Sequence, residues 1–275
     1  MSRIAVRLRE LRQAGKKALI PYITAGDPRP EVTVQLMHAM ASQGADLIEL
    51  GVPFSDPMAD GPVIQAACER ALEYGVSLTQ VLGLVKQFRD DDKATPVILM
   101  GYLNPIEVMG YEAFASRAAA AGVDGVITVD LPPEEAQELL QAQRRAGLDT
   151  VMLIAPTSPR SRIEAICEAS SGFVYYVSLK GVTGAKTLDA DAVAEKLEEI
   201  RRCTDLPVGV GFGVRDAASA VSIGRVADAV VVGSAIVQRV ADNATDPSAI
   251  RASVGELLAS MREGLDTEIT GAKVA

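Results

Sequence analysis

The chain has 275 residues, 48% hydrophobic and 23% charged, with a formal net charge of −9 at pH 7. That is ample for one large core; it holds no run of about 18 apolar residues that would span a membrane and no concentrated basic surface for nucleic acid. Its three cysteines, Cys68, Cys167 and Cys203, stand far apart with no CxxC pair, which suits unpaired thiols in a reducing, cytoplasmic setting better than a disulfide framework.

The N-terminal stretch MSRIAVRLRELRQAGKKALI is basic and amphipathic. Ile4, Leu8 and Leu11 fall at helical spacing, Glu10 interrupts the basic face, and a strand follows almost at once. A first helix packed on the domain is therefore expected rather than a transit peptide. Short apolar runs rich in β-branched residues then recur: ALIPYITAG, DLIELG, PVILMGY, GVITVDL, TVMLIAP, FVYYVSL, LPVGVGFG and ADAVVVGSAIV. Segments with helical period separate them, among them EVTVQLMHAMASQG, PEEAQELLQAQRRAG and DADAVAEKLEEIRRC. Strands apolar on both faces that alternate with helices imply parallel βα units.

A faint internal repeat, QGADLIELG, AGVDGVITVD, AGLDTVMLIAP and RVADAVVVGSA, places an Asp just ahead of each strand. Eight such units in about 250 residues predict a single α/β domain, a (β/α)8 TIM barrel with an extra N-terminal helix and additional short helices. An open doubly wound sheet is the competing architecture. It normally carries G-x-G-x-x-G after its first strand, where this chain reads ITAGDPRP. The domain is expected to span 1–275, with 264–275 a loose tail.

The single histidine, His38, lies in the helical stretch EVTVQLMHAMASQG. Two-histidine metal sites, Ser-His-Asp triads and Cys-His dyads are thereby set aside, and no metal site is expected. Acid–base work falls to carboxylates, Lys or Tyr. In a barrel, chemistry sits at the C-terminal strand ends and the loops after them. The second strand and its loop read LIELGVPFSDPMADGP. Alternation puts Leu47, Glu49 and Gly51 on one face and Ile48 and Leu50 on the other. A carboxylate on the interior face loses its hydration and binds its proton more tightly, as a general acid/base requires. A buried ion pair with Lys or Arg is the plainer alternative, but no other strand offers a cation on an interior face, which favours function. Asp60 precedes Gly61, Pro62 and a helical segment, so capping that helix competes with catalysis. Asp56, in S-D-P, reads as a turn former.

Strands seven and eight end in GVGFG and VVGSA, glycine clusters that let backbone N–H groups approach a phosphate. The loop SLKGVTGAKTLD after strand six reads as a mobile lid with Gly184 facing the same anion. Lys180 in that loop raises the alternative of a Schiff-base aldolase. Tyr22, Met100, Tyr102, Ile127, Val129, Leu153, Tyr175 and Phe212 lie near C-terminal strand ends and would line an apolar cavity for a flat aromatic group.

The motifs PYITAGDP, LIELGVPFSDPMADGPVIQ, DLPPEE, YYVSLKGVTG and VGFGV resemble the tryptophan synthase α subunit family over essentially the whole chain, in order. The absence of Trp agrees. The resemblance implies a lyase of tryptophan biosynthesis that cleaves indole-3-glycerol phosphate to indole and glyceraldehyde 3-phosphate. It matches Glu49 to the general acid/base and Asp60 to the carboxylate that stabilises charge at the indole nitrogen. It also matches Tyr175 to an active-site tyrosine, Gly184, Phe212, Gly213, Gly233 and Ser234 to phosphate contacts, and Thr183 to a lid contact with Asp60. Tyr22 stands where many members have Phe. The implied partner is the β subunit, in an αββα assembly facing Asp56 and Pro132. Pyridoxal phosphate is expected only in that partner, with no cofactor in this chain. Turnover is expected to be slow alone and faster with the β subunit. Besides the Schiff-base route, a non-catalytic phosphate-binding subunit is the non-enzyme alternative. Phosphoribosyl isomerases on similar barrels use acids after strands one and five; Asp27 follows strand one here, but strand five ends IAPTS without an acid.

Overall fold

The computed structural model describes residues 2–178, 190–211 and 213–268. Its elements run α1 (Arg3–Gln13), β1 (Ala18–Thr24), α2 (Pro30–Ser42), β2 (Ile48–Gly51), α3 (Pro62–Glu73), α4 (Leu78–Asp91), β3 (Val97–Gly101), α5 (Leu103–Met109), α6 (Tyr111–Ala121) and β4 (Gly125–Thr128). They continue with α7 (Gln137–Ala146), β5 (Asp149–Thr150), β6 (Leu153–Ile154), α8 (Arg160–Ala169), β7 (Val174–Val177), α9 (Ala190–Arg201), β8 (Val208–Gly211), α10 (Ala217–Gly224), β9 (Ala229–Val232), α11 (Ser234–Asp242) and α12 (Pro247–Glu268). No helix among the described residues is long and apolar enough to cross a membrane.

All strand pairings are parallel, in the order β5-β4-β3-β2-β1-β9-β8-β7-β6. The two ends of that order, β5 and β6, are halves of the fifth expected strand, TVMLIAP. Val151 N–H donates to Val126 O of the β4 side at 3.0 Å, and Tyr175 N–H of β7 donates to Met152 O at 3.1 Å. One extended segment thus leans first on β4 and then on β7, and closes the sheet into a barrel. Staggered pairing of this kind is how a barrel closes, which is why eight expected strands become nine short ones.

Alternation sorts the core into two layers. Ala18, Ile20, Leu47, Ile98, Ile127, Val151, Phe173, Tyr175, Ala229 and Val231 pack together inside the barrel. Leu19, Ile48, Leu50, Val97, Leu99, Val126, Val174, Val208, Val210 and Val230 pack outward against the helices. The expected helix α1 forms with Ser2 as its cap, and Ile4, Leu8 and Leu11 are buried in the interior layer. It closes the N-terminal end of the barrel. Glycines make room for it: a Cβ on Gly125 would stand 2.8 Å from Ile4 Cδ1, and one on Gly172 3.1 Å from Ile4 Cγ2.

The Asp of the internal repeat has a physical role. Asp46 accepts the N–H of Leu19 at 2.9 Å, Asp124 that of Val97 at 2.8 Å, and Asp228 that of Val208 at 3.0 Å. Each of these carboxylates therefore satisfies an N–H at the start of the neighbouring strand, where the ladder supplies no partner. Cations pair with all three: Arg7 and Arg262 with Asp46, Arg3 and Arg89 with Asp124, and Arg201 with Asp228. All of this lies at the N-terminal end, away from the chemistry.

The loose tail expected over 264–275 is corrected at its start. Helix α12 runs through Glu268 with Leu265 buried. Leu258, Met261 and Leu265 continue its apolar stripe, and Asp266 pairs with Arg262 and Lys16. Residues 269–275 lie outside the described residues.

Candidate active site

Glu49 sits on the interior face of β2, between Tyr22 on β1 and Ile98 on β3 as Cα partners. It is 1% exposed, and among the described residues neither carboxylate oxygen has a hydrogen-bond partner. Among the described residues no cation pairs with it. Burial alone pushes its carboxyl up to about 8, since desolvation penalises the charged form and nothing opposes it. Two phenols share its surroundings. Tyr175 on β7 and Tyr22 are both buried; burial and then the Glu49 charge push the ionisation of Tyr175 far up, and burial followed by Cys68, Asp60 and lastly Glu49 does so for Tyr22. Their rings fit because the adjacent strand ends carry glycine. A Cβ on Gly51 would stand 2.1 Å from Tyr22 Oη, and one on Gly211 would stand 2.0 Å from Tyr175 Oη.

Asp60 does not cap the helix that follows it. Gly61 is the N-cap of α3, with no side-chain cap. The Asp60 carboxylate instead receives the Tyr102 hydroxyl at 2.8 Å, and that hydroxyl also accepts the N–H of Ala59 at 3.0 Å. Burial raises the Asp60 carboxyl while the Tyr102 hydrogen bond opposes the rise. Tyr102, expected as a wall residue, also anchors the strand-two loop through its hydroxyl; its ring stacks on Phe54 with centroids 5.1 Å apart. Gln65 Nε2 holds the same loop through the Asp60 carbonyl at 2.8 Å.

Met100, Ile127, Val129, Leu153 and Tyr175 do converge as one interior group beside Glu49. Gly233 is the N-cap of α11 and Ser234 its first residue, so the helix N-terminus with its unpaired N–H groups meets the barrel there. Gly213, at φ +79°, takes the left-handed turn after β8 that side chains disfavour. Asp56 is exposed and its carboxylate accepts the Ser55 hydroxyl at 2.5 Å, while Pro132 is half-buried. Lys180, Thr183, Gly184 and Phe212 lie outside the described residues.

Two rival readings lose their residues. Asp27 is locked in a buried ion pair with Arg70, at 2.7 and 2.9 Å. His38 packs its ring on Phe88, 4.7 Å between centroids. Sequence reasoning passed over the polar use of Tyr102 and the buried Thr24, whose hydroxyl lies 3.2 Å from Tyr22 Oη. The available signal was Tyr rather than Phe at a wall position, since a buried phenol usually finds a partner.

The family model described as tryptophan synthase alpha chain matches residues 8–266. Similar proteins include the tryptophan synthase alpha chain of Thioalkalivibrio sulfidiphilus, 68% identical over 97% of this chain and 100% of that protein. That of Marinobacter nauticus is 62% identical over 97% and 99%. Among solved structures, tryptophan synthase subunit alpha from Legionella pneumophila superposes with a TM-score of 0.90 at 44% identity, covering 97% of this chain and 99% of that one.

Proposed function

This chain belongs to the tryptophan synthase alpha chain family, and on that premise we propose how its residues do the work. It is the α subunit, a carbon–carbon lyase that cleaves indole-3-glycerol phosphate by a retro-aldol reaction to indole and glyceraldehyde 3-phosphate. The observation that carries the mechanism is the unpartnered, buried Glu49 that titrates near 8.

At neutral pH such a carboxyl is mostly protonated, so it can deliver its proton to the indole carbon that bears the glycerol chain. The resulting carboxylate then takes the proton of the glycerol hydroxyl as the C–C bond breaks, the aldehyde forms and indole leaves. Proton donated and proton received balance within one residue. Asp60, held by Tyr102, faces the indole nitrogen and stabilises the positive charge that develops there. The aromatic ring lies among Tyr22, Met100, Ile127, Val129, Leu153 and Tyr175, and the phosphate lies at Gly213, Gly233 and Ser234, completed by Gly184 and Phe212. The family resemblance assigns Thr183 a contact with Asp60. One acid/base contributes about 10²–10⁴-fold; orientation between the phosphate and ring sites and closure of the site supply the rest.

The β subunit is the partner, in an αββα assembly, and it takes up the indole. Asp56 and Pro132 face it, and Met58, 85% exposed on the loop after β2, and Val108, 82% exposed in α5, extend that face. Pyridoxal phosphate resides in the partner and this chain works without a cofactor, as a single cytoplasmic domain. The test is indole release from indole-3-glycerol phosphate by the wild type and Glu49→Gln, each with and without β subunit. Wild-type-like turnover by the variant would overturn the mechanism.

A further inference from the structure

The hydroxyl of Tyr22 has no part in the mechanism above. Its ring begins at the phosphate side: a Cβ on Gly233 would stand 3.9 Å from Tyr22 Cβ and 4.0 Å from Cδ1. The ring ends at the acid side, where the oxygen lies over Gly51, 2.1 Å from the place a Cβ would take. Gly51 shares the interior face of β2 with Glu49, which is the direct cross-strand neighbour of Tyr22. Both Asp60 and Glu49 are near enough to act electrostatically on the phenol.

Among the described residues, Tyr22 Oη has one hydrogen-bond partner, Thr24 Oγ1 at 3.2 Å, and Thr24 is itself only 2% exposed. A phenol offers one proton and two lone pairs, so a single contact leaves capacity unused. An apolar ring of the same shape would fill this place without a polar atom to desolvate. A molecule that reaches from an anion at the α11 N-terminus to Glu49 passes over this ring. In indole-3-glycerol phosphate, that stretch is the glycerol chain with its hydroxyls.

We propose that Tyr22 Oη, anchored by Thr24, hydrogen-bonds a hydroxyl of the substrate's glycerol chain and fixes that chain between the phosphate site and Glu49. The inference rests on the reading of the site given above. The phenol makes and breaks no covalent bond; burial holds its proton in place, and it acts by orienting the hydroxyl whose proton Glu49 removes.

The test is Tyr22→Phe in the complex with saturating β subunit, read in two ways. One is kcat/KM for indole release from indole-3-glycerol phosphate. The other is Kd for an analogue whose indole and phosphate are joined by a three-carbon chain without hydroxyls. The expected result is a loss of about tenfold in kcat/KM, the value of one hydrogen bond, with the analogue's Kd changed by less than about twofold. Unchanged kcat/KM, or an equal loss of affinity for the analogue, would overturn the proposal. A wild type that releases no indole would instead overturn the assigned reaction.

Discussion

Glu49→Gln separates the cost of burying a charge from the use made of it. In the fold this carboxyl titrates at about 8 instead of the ordinary 4.5. At about 1.4 kcal/mol per tenfold in proton affinity, the ionised group costs the folded state roughly 5 kcal/mol once both states are fully ionised. The folded value lies above the unfolded one, so the contribution to stability is whole below pH 4.5 and is lost as pH rises through 8. The variant has no such loss. The difference in unfolding free energy should therefore move in its favour by about 1 kcal/mol at pH 5, about 3 at pH 7 and nearly 5 at pH 9. A buried amide without partners adds an offset that does not vary with pH, so the slope is the readout. Urea unfolding of both proteins at the three pH values measures it, beside initial rates of indole release. The expected pattern is a variant that gains relative stability as pH rises while losing about 10²–10⁴-fold in kcat. A difference that stays flat from pH 5 to 9 would refute the raised carboxyl, and retained turnover would refute its use.

Tyr102→Phe removes both the donor to Asp60 and the acceptor for the Ala59 N–H; kcat/KM for indole release should fall about tenfold, while urea stability changes little. Gly51→Ala forces a Cβ against the Tyr22 oxygen, an overpacking that should cost about 1–3 kcal/mol by urea unfolding and be relieved when Tyr22→Leu is added. Arg89→Ala strips a cation from buried Asp124 and donors from the Gly122 and Thr95 carbonyls. It should destabilise by about 3–5 kcal/mol with kcat unchanged under native conditions, because the pair lies at the opposite end of the barrel from Glu49.

The barrel was legible in the sequence because its signals are local. Short runs apolar on both faces, alternating with helical segments, read as strands covered by helices, and two-residue alternation puts Glu49 with Leu47 and Gly51. The N-terminal helix was legible for the same reason, from the spacing of Ile4, Leu8 and Leu11. The repeat's Asp was visible too, yet its purpose was not: an Asp ahead of one strand serves an N–H at the start of another, a relation between segments far apart in sequence. The end of α12 shows the reverse error, since polar residues near Asp266 read as a tail until Lys16, some 250 positions away, supplied a partner.

At the site the division is sharper. Sequence by itself determined which residues could do acid–base chemistry, since one histidine and the strand pattern left Glu49 as the candidate. No other strand offered a cation on an interior face, which favoured function, but a partner from a loop or helix stayed open. Only the closed barrel decided that neither oxygen has a hydrogen-bond partner among the described residues, and it is that solitude which raises the carboxyl. Asp60 was undecided between cap and catalyst on local grounds, and Tyr102, 42 residues on, removed the cap reading by taking the carboxylate away from the helix. Local order is written in periodicity, whereas a pKa and a hydrogen-bond partner belong to whatever the fold brings alongside.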